Sequence, residues 1–147
     1  MKELLGDDKF SEALHFFINN WKGKHPSPYD FFNCINTQSG QNLNWFWKDW
    51  FLNKIAPDLA IRNVSRKGSR YIIEIKRAGN GIVPIHLKVI YQNGTQQLIN
   101  KDISCWSQGN DVYMVKLKSG TSVSKIILGS NFDVDIDASN NIWESKE

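Results

Sequence analysis

The sequence predicts an α+β protein, with a three-helix segment over residues 1–56 followed by an antiparallel β-sandwich of six to seven strands over residues 57–147. Three observations predict it. Before Pro57 the apolar residues recur at helical spacing, and after it they alternate in short runs. Those runs recur about every ten residues with turn formers between them, as in a sandwich. Twelve of the eighteen aromatic residues lie in the first 56 positions, a dense supply for a helical core.

The first helix starts at Asp7 or Asp8 and runs to Trp21. Phe10, Ala13, Leu14, Phe17, Ile18 and Trp21 form its apolar stripe. Gly23 and Pro26 end it. Ser27-Pro28-Tyr29-Asp30 opens the second helix: Ser27 caps, Pro28 suits the first helical position, and Asp30 reaches back as in a capping box. Gly40 is a left-handed stop. Asn42 caps a third helix whose stripe is Leu43, Phe46, Trp47, Trp50 and Phe51. Beyond Pro57, Tyr71, Ile73 and Ile75 share one strand face, opposite Glu74 and Lys76. Ile85, Leu87, Val89 and Tyr91 form another apolar face, and Asn93-Gly94 is its hairpin turn. Tyr113, Val115 and Leu117 mark a further strand, and Val123 to Leu128 one more.

Net charge is +3, unevenly distributed. Residues 1–56 balance six basic against six acidic groups, whereas residues 57–132 carry eleven against four and residues 133–147 one against five. The basic middle is spread over several strands without interleaved aromatics, which predicts a solvated strand face and no nucleic-acid partner. No apolar run of about 18 residues predicts a membrane span, and MKELLGDDKF lacks the apolar core of a secretion signal. Cys34 and Cys105 are far apart and lack metal-type spacing, so two buried free thiols are expected.

The aromatic supply exceeds the helical stripes. On a wheel of about 100° per residue, Phe16 lies opposite the first stripe, and Trp45 and Leu52 lie opposite the third. A two-sided apolar helix needs cover on both faces. Phe16, Trp45 and Leu52 are therefore the candidate interface to a surface outside these helices.

Residues for bond cleavage are scarce. His15, His25 and His86 are the three histidines, with no His-Glu-x-x-His and no pair at ligand spacing; His15 and His86 read as structural. Nucleophile elbows, phosphate loops and a recognised Cys–His signature are all missing. No catalytic residue, metal ligand or cofactor is expected in this chain. Asp133, Asp135, Asp137, Ser139, Asn141 and Glu144 match the spacing of a calcium loop. Ala138 stands where that loop needs glycine, and Phe132, Val134 and Ile136 alternate as an ordinary final strand with the aspartates facing water. Of the six tryptophans, Trp106 and Trp143 alone fall among the strands, too dispersed for a sugar-stacking platform.

From Trp21 to Trp50 the residues form a pattern. Trp21, then Lys24-His25-Pro26-Ser27-Pro28-x-Asp30-Phe31-Phe32, then Ser39-Gly40-x-x-Leu43-x-Trp45-Phe46-x-x-x-Trp50 resembles the close of the helical part of gluzincin zinc metallopeptidases, the aminopeptidase N and leukotriene A4 hydrolase relatives. Pro57-Asp58-Leu59 and the strands after it resemble the small sandwich that follows the catalytic domain there. Trp47 and Lys54-Ile55-Ala56 depart from the pattern. The resemblance implies a larger enzyme that removes N-terminal residues from peptides with one zinc, held by two histidines and a glutamate beside a glutamate base. None of those positions lies in this sequence. What it leaves for this chain is a non-catalytic C-terminal region that closes and braces an absent N-terminal catalytic domain. Self-association through the apolar helix faces is a further expected contact. The alternative is a free-standing β-sandwich module that binds protein or carbohydrate.

Overall fold

Ser27 shows how local chemistry sets the helices. In the computed structural model, which describes residues 1–130 and 133–146, the Ser27 backbone N–H donates to Asp30 Oδ2 at 2.8 Å and its hydroxyl donates to the same oxygen at 2.7 Å. The Asp30 N–H donates back to Ser27 Oγ. This capping box starts α3 (Pro28–Ser39), and Gly40, at φ 67°, ends it in the left-handed region. The Ser27 hydroxyl, then its amide, hold the Asp30 carboxyl below the usual carboxylate range.

The chain divides into two compact units, Met1–Leu52 and Asn53–Glu147. The first contains α1 (Lys2–Leu5), α2 (Asp7–Trp21), α3, α4 (Asn44–Trp47) and a π-helical turn over Lys48–Leu52. Ala13 and Ile35 are sealed between helices, and the Phe17 ring meets Phe31 edge-on at 5.0 Å. Asn36 ties α3 to α4. Its Oδ1 accepts from Trp47 Nε1 at 2.9 Å and from the Leu43 N–H, while its Nδ2 donates to Asn44 Oδ1. The satisfied indole donor allows Trp47 to bury and to stack on Phe32 at 4.5 Å.

The third helix differs from the expectation in two ways. It starts at Asn44, with Leu43 at its cap position, and Asn42 instead accepts the Asn44 N–H in a local turn. After Trp47 it widens to π geometry, which takes more residues per turn than the 3.6 of the wheel. The stripe therefore drifts. Leu43, Phe46 and Trp47 are buried, but Trp50 and Phe51 are 39% and 57% exposed. Ile18, counted in the first stripe, is exposed as well.

The second unit is a sandwich of seven antiparallel strands: β1 (Leu59–Lys67), β2 (Arg70–Arg77), β3 (Ile85–Tyr91), β4 (Gln96–Lys101), β5 (Val112–Lys118), β6 (Val123–Leu128) and β7 (Ile142–Glu144). One sheet has the order β1-β2-β5 and the other β4-β3-β6-β7. The inward set is the one that alternation selects: Tyr71, Ile73 and Ile75 on β2; Ile85, Leu87, Val89 and Tyr91 on β3; Val115 and Leu117 on β5. At the Asn93-Gly94 turn the Gly94 N–H donates to the Tyr91 carbonyl. Trp106 is sealed in the sandwich core and donates to the Val83 carbonyl. The Tyr71 hydroxyl accepts the Val123 N–H and so joins the two sheets.

Residues 133–137 do not form the expected final strand. Val134 and Ile136 are exposed there, and the last strand is β7; Phe132 lies outside the described residues. The reason is local. Asp135 Oδ1 accepts the Asp137 N–H and Asp137 Oδ1 accepts the Ser139 N–H, which bends the chain into turns in place of a ladder.

Entry into the sandwich is clamped by Asn80. Its Nδ2 donates to the Lys54 carbonyl at 2.6 Å and its Oδ1 accepts the Ala56 N–H at 2.7 Å. Gly79 permits this approach, since a Cβ there would fall 2.0 Å from the Ala56 carbonyl oxygen. Gly79→Ala is expected to destabilise the sandwich by about 1–3 kcal/mol. Gly120→Ala, which meets nothing within 4 Å, is expected to be close to neutral. Urea unfolding of the two variants checks this, and equal midpoints would contradict the clamp.

Candidate functional site

The helical unit ends in an exposed apolar run. The π-helical turn leaves Trp50, Phe51 and Leu52 all exposed, Leu52 by 57%. Beside them a hollow of about 310 Å³ is walled by Phe10, Phe31, Phe46, Trp47, Trp50 and Phe51. Phe16 is 37% exposed on α2, and Trp45 is partly exposed on α4. Trp45 meets Phe46 edge-on at 6.1 Å, whereas Phe16 makes no ring contact among the described residues. The sequence wheel did not select Trp50 and Phe51 as surface residues. The π-helical turn that exposes them leaves no signal at a fixed 100° per residue.

The sandwich unit holds the remaining chemistry. His86 on β3 places Nδ1 2.8 Å from Asp133 Oδ2, which also accepts the Ser130 N–H. Asp135 accepts from the Leu59 N–H and from Asn141 Nδ2, and Asp137 caps the 3-10 turn Ala138–Asn140. Carboxylates of the calcium-like run are thus turned onto their own chain. Among the described residues no group of three or more His, Cys, Asp or Glu side chains could hold a metal ion. His15 is exposed on α2, and His86 is taken up by Asp133. These residues do not fit a zinc site.

Both cysteines are free thiols, but each is only partly buried, short of the full burial expected. Burial, and next the nearby Asp102 charge, push the Cys105 thiol up to about 12, which keeps it protonated and weakly nucleophilic. Trp106 is sealed in the core and offers no face to a sugar.

The register gathers cations that the sequence disperses. In the first sheet Lys67 pairs with Arg70, and Arg70 with Lys118. In the next row Ser65 pairs with Ile72, and Ile72 with Lys116. Side chains of these two rows and Arg66 line a cleft of about 620 Å³. The Arg66 guanidinium lies over the Tyr71 ring at 5.1 Å and donates to Ser122 Oγ.

No protein-family model matches the sequence. A curated protein from Sulfurisphaera tokodaii named "Probable aminopeptidase 2" is 28% identical over 123 residues, covering 77% of this chain and 15% of that protein. A crystal structure of Legionella pneumophila aminopeptidase A in complex with aspartic acid shares the fold with a TM-score of 0.61 at 20% identity. That match covers 87% of this chain and 15% of the other. The chain is thus distantly related to aminopeptidases, and it spans about one-seventh of the length of each of these two relatives. No helix among the described residues is long and apolar enough to cross a membrane.

The exposed apolar run has a direct readout. The 147-residue chain is expected to enhance the fluorescence of 8-anilinonaphthalene-1-sulfonate, and the Phe16→Ser/Leu52→Ser double variant is expected to weaken that signal. Its stability is expected to fall by about 1–2 kcal/mol, since both side chains are only partly buried. An unchanged dye signal would contradict a sticky helix face.

Proposed function

We propose that this chain is a non-catalytic C-terminal region of a larger zinc aminopeptidase-like metallopeptidase of the gluzincin type. In this reading the helices close one wall of the catalytic domain, and the sandwich braces it. The exposed run Trp50-Phe51-Leu52, with Phe16 and the partly exposed Trp45, carries the reading. Aromatic side chains of about 150–250 Å² each stay in water only at a cost, and a docked domain removes it. One further point supports it: the aminopeptidase relatives are several times longer than this chain.

In the larger protein the zinc and its general base would come from the catalytic domain, and this chain would supply apolar surface and rigidity. Of the alternative, a free-standing sandwich that binds protein or carbohydrate, the carbohydrate form loses support from Trp106, which is sealed inside the sandwich.

The test is zinc content and release of p-nitroaniline from aminoacyl p-nitroanilides by the purified 147-residue chain. Neither stoichiometric zinc nor chelator-sensitive hydrolysis is expected. Chelator-sensitive hydrolysis at a rate proportional to protein concentration would overturn the reading.

A further inference from the structure

From the cationic cleft on the first sheet of the sandwich, we propose that this face docks an acidic peptide segment of a partner polypeptide. Three cations, Lys67, Arg70 and Lys118, stand directly opposite one another across three strands. Like charges placed so are destabilising. None of the three, nor Lys116 in the next row, makes an ion pair among the described residues. Glu74, the acidic group on the following row, is already bonded by Asn63 and Arg62. The fold therefore holds uncompensated positive charge at a cost that an anionic partner removes.

The cleft's floor selects among anions. Exposed Ile72 lies between Ser65 and Lys116, with the cation row beside it. A peptide that sets an apolar side chain on Ile72 and carboxylates on the lysines and arginines matches both features. A nucleic acid matches worse, because bases need an open aromatic face. The nearby ring, Tyr71, is buried and lies under Arg66. The acidic end of a second copy is a poor source too, since it spends Asp133 on His86, Asp135 on Leu59 and Asn141, Asp137 on its own turn, and Glu144 on Lys125.

Fluorescence anisotropy with a fluorescein-labelled twelve-residue peptide of Glu-Glu-Leu repeats tests this at physiological salt. Saturable binding is expected, weakened about tenfold or more by Lys116→Glu/Lys118→Glu, and left unchanged by Lys88→Glu on the other sheet. A peptide with serine in place of leucine is expected to bind about tenfold more weakly, from loss of the apolar contact. Circular dichroism establishes that the variants are folded, and Lys116→Gln/Lys118→Gln, which removes charge without reversing it, is expected to show an intermediate loss. Three results would overturn the proposal: no binding, equal binding of the serine peptide, or tighter binding of oligothymidine or phosphatidylserine vesicles. The Lys116 and Lys118 variants confine the readout to the sandwich, so its failure leaves the reading of the helical unit as it stands.

Discussion

A helical unit of some fifty residues has little interior, and this limit governs the first half of the chain. Small units bury a smaller share of their surface than large ones, yet Met1–Leu52 carries twelve aromatic side chains. Asn36 decides which of them go inside. By satisfying the Trp47 indole and the Leu43 amide together, it fixes the turn into α4 and draws Trp47 onto Phe32. Once that stack is filled, the π-helical turn carries Trp50, Phe51 and Leu52 outward. The apolar end follows from the change to π geometry, and a surface of that kind is suited to a partner.

The sandwich obeys a different constraint. Its core is a full set of alternating apolar residues, closed by Trp106 and by the Tyr71 hydroxyl bonded to the Val123 amide. Its start is held by side-chain bonds from Asn80 and by the absence of a Cβ at Gly79. The same regular pairing lines up cations on the outer face of the first sheet, a cost that the interior does not require.

Much of this fold is legible in the sequence, because the strongest signals are local. The α3 capping box needs four consecutive residues, and the β3 face needs only alternation from Ile85 to Tyr91. What is illegible depends on geometry between distant residues or on departures from ideal periods. Lys67, Arg70 and Lys118 look dispersed until the strand register places them side by side. The change to π geometry at Lys48 rotates Trp50 and Phe51 away from their ideal positions. Residues 133–137 alternate like a strand, but their aspartates prefer nearby amides. Of the three residues singled out as an interface, Phe16 and Leu52 are exposed and Trp45 is partly so, while the fuller apolar end extends to Trp50 and Phe51.

The proposed function places residues 45–52 against a peptidase domain. Amide hydrogen exchange across that segment, with and without a co-expressed zinc-binding peptidase domain from the same organism, tests it most directly. The account predicts that exchange at 45–52 slows when that domain is present, while β3 is unaffected. Unchanged exchange at 45–52 in a sample where the two proteins co-elute would contradict it.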